Sequence, residues 1–332
     1  MKTPSPTSAP TGEPTSYDWL LLGLIIIIGG SSFSMIRLAV ETIPPAIVGV
    51  GRLWVGAGIL YFLMRMKGRR FPPFLVRTQN GPRLHTAWVW MMAVGIIGNT
   101  IPFLIFPWAQ QYVESGLAGV YMAFMPIWTL FLAFLFAGEA LTGRKLIGFI
   151  MGFIGVLILM GPEVVSGAAG TSLLAQAAIL LATFLYAVSA VISRRAPTIR
   201  PRVFSAGLLL CAAICATPAL MLAEFDAYAY SWRSVLGVIG LGIFPTGLGA
   251  FLIIILIKRA GAGFMALANY LTPIWAVVLG AMAFGERLAP QVFVALSVIL
   301  LGVFISQRKT KLPALETGDG TAGEIAPMAA KQ

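Results

Sequence analysis

The sequence predicts an all-α membrane protein whose ten transmembrane helices form two inverted five-helix repeats. Three observations predict it. Of the 332 residues, 58% are hydrophobic and only 11% charged, against roughly 25% charged residues in a soluble domain. Apolar runs close to the ~20 residues that cross about 30 Å of hydrocarbon recur along the chain. Finally, residues 115–160 and 262–306 repeat one another without a gap. Gly116, Pro126, Ile127, Trp128, Leu132, Gly138, Glu139, Leu141, Gly155, Val156 and Ile158 return 147 positions later as Gly263, Pro273, Ile274, Trp275, Leu279, Gly285, Glu286, Leu288, Gly302, Val303 and Ile305. A duplicated membrane unit is the ground plan of many secondary transporters, whose sites lie between the repeats.

The apolar runs are 18–37, 46–64, 87–109, 115–137, 144–161, 172–193, 203–223, 234–257, 263–284 and 288–306. Tyr17 and Asp18 precede the first run without a basic stretch, so the expectation is a retained span rather than a cleaved signal peptide. The boundaries place a first repeat at 18–161 and a second at 170–306. The flanking 1–17 and 307–332, rich in Pro, Ser, Thr, Gly and Ala, read as disordered tails. Cys211 and Cys215 lie four apart on one apolar helix, which suits packing and implies no disulfide framework.

The net charge of +11 invites a nucleic-acid reading, but its distribution excludes one. In a ten-span arrangement, 19 of the 23 Lys and Arg fall on one side: Arg65, Lys67, Arg69, Arg70, Arg77 and Arg83 after the second span, further groups at 144–145, 194–202 and 258–259, and the tails. The other side receives Arg37, Arg233 and Arg287. The positive-inside rule puts the basic side and both termini in the cytoplasm. Five spans per repeat is an odd number, so the second copy enters the membrane upside down. The expected partners are the bilayer and a small-molecule substrate, with a homodimer left open.

A Gly-containing helix start, a central Pro, a Gly-Glu-x-Leu loop and a Gly-Val helix run through Ser115-Gly116, Pro126-Ile127, Gly138-Glu139-Ala140-Leu141 and Gly155-Val156. They run again through Ala262-Gly263, Pro273-Ile274, Gly285-Glu286-Arg287-Leu288 and Gly302-Val303. This pattern resembles the EamA-type repeat of the drug/metabolite transporter superfamily, over nearly all of 18–306. The resemblance implies a ten-helix bundle of two inverted repeats that works by alternating access on small metabolites, without a cofactor. Export or import of small metabolites at the plasma membrane, amino acids or related compounds among them, is the implied activity, with export the family tendency.

Helix breakers point to the site. The third span holds Gly95, Gly98, Pro102 and Pro107, and the eighth holds Gly242, Pro245, Gly247 and Gly249; Gly95 matches Gly242 and Gly98 matches Pro245 at the repeat offset. Interrupted helices in corresponding places mark a midplane site, because Pro removes a backbone donor and frees a carbonyl. Pro126 and Pro273 add a second matched pair. Polar and aromatic candidates for substrate contact lie near these breaks: Asn99, Thr100, Tyr121, Trp128, Tyr186, Thr246, Asn269, Tyr270 and Trp275. Tyr121 and Trp128, seven apart, are expected on one helix face. Interhelical hydrogen bonding would explain the same polar groups, at about 0.6 kcal/mol each.

Arg52 is the one ionised side chain inside a span. It could attract a substrate carboxylate or phosphate through its planar fork, or pair structurally with Glu41 or with helix-end carbonyls. All twelve Asp and Glu fall in tails, loops or span ends, so no mid-membrane acid is available to relay a proton or sodium. Glu139 and Glu286 are expected to cap the helix that follows each of them.

Other classes fit less well. With one histidine (His85) and two apolar-helix cysteines, no zinc site or His-based triad can be assembled. No Walker-type Gly-x-x-x-x-Gly-Lys-Ser/Thr motif is present. The expectation is a transporter rather than an enzyme, with a cavity among spans 1, 3, 4, 6, 8 and 9; a non-transporting scaffold or sensor is the alternative.

Overall fold

The computed structural model describes residues 14–78, 81–137, 142–165, 170–197, 199–223 and 229–307. Most of both tails, and the Gly138-Glu139-Ala140-Leu141 loop, lie outside them. Ten helices are long and apolar enough to cross a membrane: Ser16–Ala39, Pro45–Met66, Thr86–Ala109, Ser115–Phe136, Gly143–Gly161, Thr171–Arg195, Pro201–Met221, Trp232–Gly261, Leu267–Phe284 and Pro290–Gln307. These are spans 1 to 10 below. Span 1 starts two residues before its expected first residue because Thr15 and Asp18 form a reciprocal capping box. The structure adds one feature that the sequence analysis does not expect. Between spans 2 and 3, β1 (Leu75–Thr78) and β2 (Gly81–Leu84) pair as an antiparallel hairpin.

Helix pairing follows the repeat. Span 2 packs on span 7, and span 5 on span 10. Span 1 packs on spans 8 and 9, while span 6 packs on spans 3 and 4, so these contacts exchange under the 147-residue offset. Apolar side chains cannot drive this association in lipid, where tails are equally apolar; close approach of small residues does. Spans 5 and 10 show it most directly. A Cβ at Gly148 would meet the carbonyl of Gly302 and the Ser306 Cβ, and a Cβ at Gly302 would come 2.7 Å from the Gly148 carbonyl oxygen. Gly155 likewise lies against Ile299 and Ala295. Gly148→Leu should therefore cost at least the 1–3 kcal/mol typical of overpacking, seen as a lower unfolding temperature in detergent. Unchanged unfolding would show that the two backbones do not approach this closely. Outside these seams, large apolar side chains such as Leu157, Leu174, Phe293 and Leu301 face outward, as a lipid-facing surface requires.

Candidate functional site

Spans 3 and 8 are both interrupted, and at matching places. Span 3 passes through a π-helical turn at Ile96–Thr100 and span 8 through one at Gly242–Leu248; the first segment, shifted by 147, falls inside the second. Short π segments inside α-helices are frequent at functional sites. In span 8 the break coincides with a missing proline donor. Pro245 has no N–H to offer the Leu241 carbonyl four residues back. The Thr246 hydroxyl replaces it, donating to the Leu241 oxygen at 2.8 Å. The same Thr246 oxygen accepts from Arg52 Nε at 3.1 Å.

Arg52 is thus held from span 2 onto the π turn of span 8. Its guanidinium carbon stacks 3.7 Å from the centre of the Phe103 ring of span 3, and Tyr186 of span 6 is close enough to interact electrostatically. Only 6% of Arg52 is exposed. The expected alternatives, Glu41 or helix-end carbonyls, are not its partners; Glu41 lines cavities at the end of span 1 instead. A glycine makes the approach possible, since a Cβ at Gly56 would come 2.5 Å from Thr246 Cγ2. The terminal nitrogens of Arg52, the Tyr186 hydroxyl and the Asn99 amide form no hydrogen bond to any described residue. Thr100 is buried and donates to the Ala212 carbonyl of span 7 at 3.0 Å, an interhelical link. Gly95 and Gly98 admit Leu208 and Ser189 against the span 3 turn.

The remaining candidates divide among other places. Span 4 breaks between Met122 and Met125, just before Pro126, yet Tyr121 and Trp128 on either side of the break both meet span 6. Tyr121 is fully buried and donates to Gln176 Oε1 at 2.6 Å. Trp128 sits instead in an aromatic cluster with Phe124, Phe153 and Phe184, its indole N–H buried without an acceptor. Trp275 donates to Ser31 Oγ, joining spans 9 and 1, and Tyr270 donates to Gln307 at the end of span 10. Pro273 lies within an unbroken helix, unlike its counterpart Pro126. Pro126 and Asn269 do share a space: a cavity of about 570 Å³ on the basic face, lined also by Thr129, Lys145, Arg194 and Ser306. Spans 1, 3 and 8, expected around the cavity, contribute no lining residue to it, whereas spans 5 and 10 do.

At the opposite face, Glu286 makes a contact that the sequence assigns elsewhere. Gly285 ends span 9 in the left-handed region, φ 64°, which a side chain would oppose. The chain then doubles back, and the Glu286 carboxylate leaves its expected helix, span 10, for the start of span 4. It accepts from Ser115 N at 2.8 Å, Ser115 Oγ at 2.7 Å and Gly116 N at 2.9 Å. An anion at a helix N-terminus satisfies orphan donors and meets the positive end of the dipole. Leu288 packs on Gly116, and a Cβ at Gly280 would collide with the Glu286 carboxylate. The Gly-Glu loop between spans 9 and 10 of the second repeat therefore clasps the Ser-Gly start of span 4 in the first. Its counterpart, Gly138-Glu139, lies outside the described residues.

Against known proteins, the EamA-like transporter family matches residues 15–161 and 173–307. A protein from Archaeoglobus fulgidus named an uncharacterized transporter is 22% identical over 88% of this chain and 99% of its own. The uncharacterized inner membrane transporter YedA of Escherichia coli K12 is 28% identical over 85% of this chain and 87% of its own. Protein PagO of Salmonella typhimurium is 25% identical over 89% and 94%. A solved crystal structure with 19% identity covers 88% of this chain and 96% of its own at a TM-score of 0.60, a likeness of fold. The family match spans nearly all ten helices, and the chain belongs to the EamA-like transporter family, as a multi-pass membrane transporter.

Proposed function

We propose that this chain is a secondary transporter of small organic metabolites bearing a carboxylate or similar anionic group, amino acids or related compounds among them. In this proposal it exports them across the bacterial-type inner membrane by alternating access of two inverted five-helix repeats, 18–161 and 170–306. The observation that carries the reading is Arg52: a residue only 6% exposed, held at Nε, with its terminal nitrogens bonded to no described residue. A buried charge without a counter-ion is costly. A substrate anion seated between the two π turns would supply that counter-ion, with Asn99 and Tyr186 as neighbouring polar contacts.

The two faces support the alternating part. The basic face, assigned to the cytoplasm with both termini, carries the 570 Å³ cavity reached through Pro126 and Asn269. On the other face the Glu286 clasp ties spans 4 and 9 together, which we take as the closed outer side. YedA, an inner membrane protein by name, supports the location. Purified protein in proteoliposomes should exchange labelled amino or keto acids, and Arg52→Ala should lower that exchange roughly 100-fold while neutral test solutes stay excluded. Failure of the wild-type protein to move any such compound, with a partner protein co-purifying in fixed ratio, would favour a scaffold instead.

A further inference from the structure

On the basic face, a second cavity of about 440 Å³ opens beneath the hairpin, away from the route described above. Two stretches far apart in sequence close it: Gly68–Pro72 with His85 and Ala87 on one side, Ile199, Arg200 and Val203 on the other. Its ionisable lining is Arg69, Arg70, Arg200 and His85, with no carboxylate among them. None of the three guanidiniums has an ion-pair partner among the described residues.

Two helix N-termini border the same space. Span 3 begins at Thr86, where His85 Nδ1 accepts from Ala87 N at 3.1 Å. Span 7 begins at Pro201 behind Arg200, with no side-chain cap. Helix N-termini favour anions, and planar guanidiniums match phosphate oxygens two at a time. The wall is fixed rather than fluid. Trp88 Nε1 donates to the Pro72 carbonyl, and Phe71 and Phe74 both pack on the Trp88 ring.

The geometry points to a binding site for the phosphate headgroup of an anionic glycerophospholipid. Four cationic or protonatable side chains and two helix starts around one cavity supply the phosphate half of that recognition. The hairpin supplies the lipid half. Phe74, Leu75 and Val76, beside the cavity, are 64%, 57% and 37% exposed, an apolar edge flanked by Arg77 that suits the headgroup–acyl boundary. A soluble phosphate compound would use the arginines but has no need of that edge.

Full-length protein in a zwitterionic detergent would be titrated with headgroup-labelled phosphatidylglycerol, with phosphatidylcholine and inorganic phosphate as competitors. Preference for phosphatidylglycerol over phosphatidylcholine is expected in the wild type. Arg70→Gln with Arg200→Gln should weaken phosphatidylglycerol binding roughly 30-fold, at about 1 kcal/mol per arginine near a headgroup. Arg144→Gln with Lys258→Gln removes the same charge from the same face away from both the cavity and the hairpin, and should change binding by less than about 3-fold. Unfolding temperatures confirm that both variants remain folded; should the first fail to fold, the single Arg200→Gln variant takes its place, with an expected loss of about 5-fold. Equal losses in matched variants, no headgroup preference in the wild type, or full displacement by millimolar inorganic phosphate would each overturn the assignment.

Discussion

Glu286→Ala should loosen the outer face of the bundle and lower its stability by roughly 3 kcal/mol. The carboxylate satisfies two backbone donors and one hydroxyl at the start of span 4, and Ser115 is fully buried. Hydrogen bonds to a charged group contribute about 1.5–3 kcal/mol each, and unsatisfied buried donors cost about 1–3 kcal/mol; the three share one acceptor, so they do not add. Thermal unfolding in detergent checks the loss. A membrane-impermeant thiol reagent checks the opening, through Val113→Cys in a background lacking Cys211 and Cys215; Val113 is buried in the present arrangement. Gly280→Val should act in the same direction, because its side chain would occupy the carboxylate's position. Both variants unfolding and labelling as wild type would mean that the clasp holds nothing.

Glu114 gives the same face a pH dependence. Burial, and then the negative charge of Glu286, raise its carboxyl above the ordinary range, with Arg37 opposing. A carboxyl raised in the folded state binds its proton more tightly there than in the unfolded chain. The stabilisation is complete below the unfolded value and is lost as pH rises through the folded one. Labelling of Val113→Cys should therefore increase on crossing that range, and Glu114→Gln should remove the step.

How far the sequence disclosed this arrangement depends on the range of the interaction. The ten spans follow from local hydropathy, and all ten appear within a few residues of their expected ends. The interruptions in spans 3 and 8 follow from glycines and prolines at one offset, but their π winding does not. In span 8 it goes with a hydroxyl, Thr246, replacing the donor that Pro245 lacks. Tyr121 and Trp128, expected on one helix face, both meet span 6, through Gln176 and Phe184, although span 4 turns between them. Local spacing points Glu286 to the nearest helix start, whereas its partner lies 171 residues back in the chain. A clue existed: Ser115-Gly116 belongs to the same repeated phrase as Gly285-Glu286. The hairpin had its own sign in Asn80-Gly81, a favoured pair for tight β-turns.

Arg52→Ala should lower transport roughly 100-fold while leaving the fold intact, and this dissociation separates substrate recognition from scaffolding. Removing one partner of a buried charged hydrogen-bonded pair typically costs 2–5 kcal/mol, and about 2.7 kcal/mol is a 100-fold effect on rate or affinity. The same cost need not fall on folding. Thr246 still donates to Leu241 without Arg52, and loss of the stacking on Phe103, about 0.5–2 kcal/mol, is offset by the charge no longer being buried. Arg52→Lys keeps the charge but not the fork, so it should retain partial transport with a raised KM. Thr246→Val supplies the contrast: it deprives both Arg52 Nε and the Leu241 carbonyl of a partner, so stability and transport should fall together. Were Arg52→Ala to transport as wild type, the buried cation would be a packing element and the substrate site would lie elsewhere, with Pro126 and Asn269 at the inner cavity the next place to look.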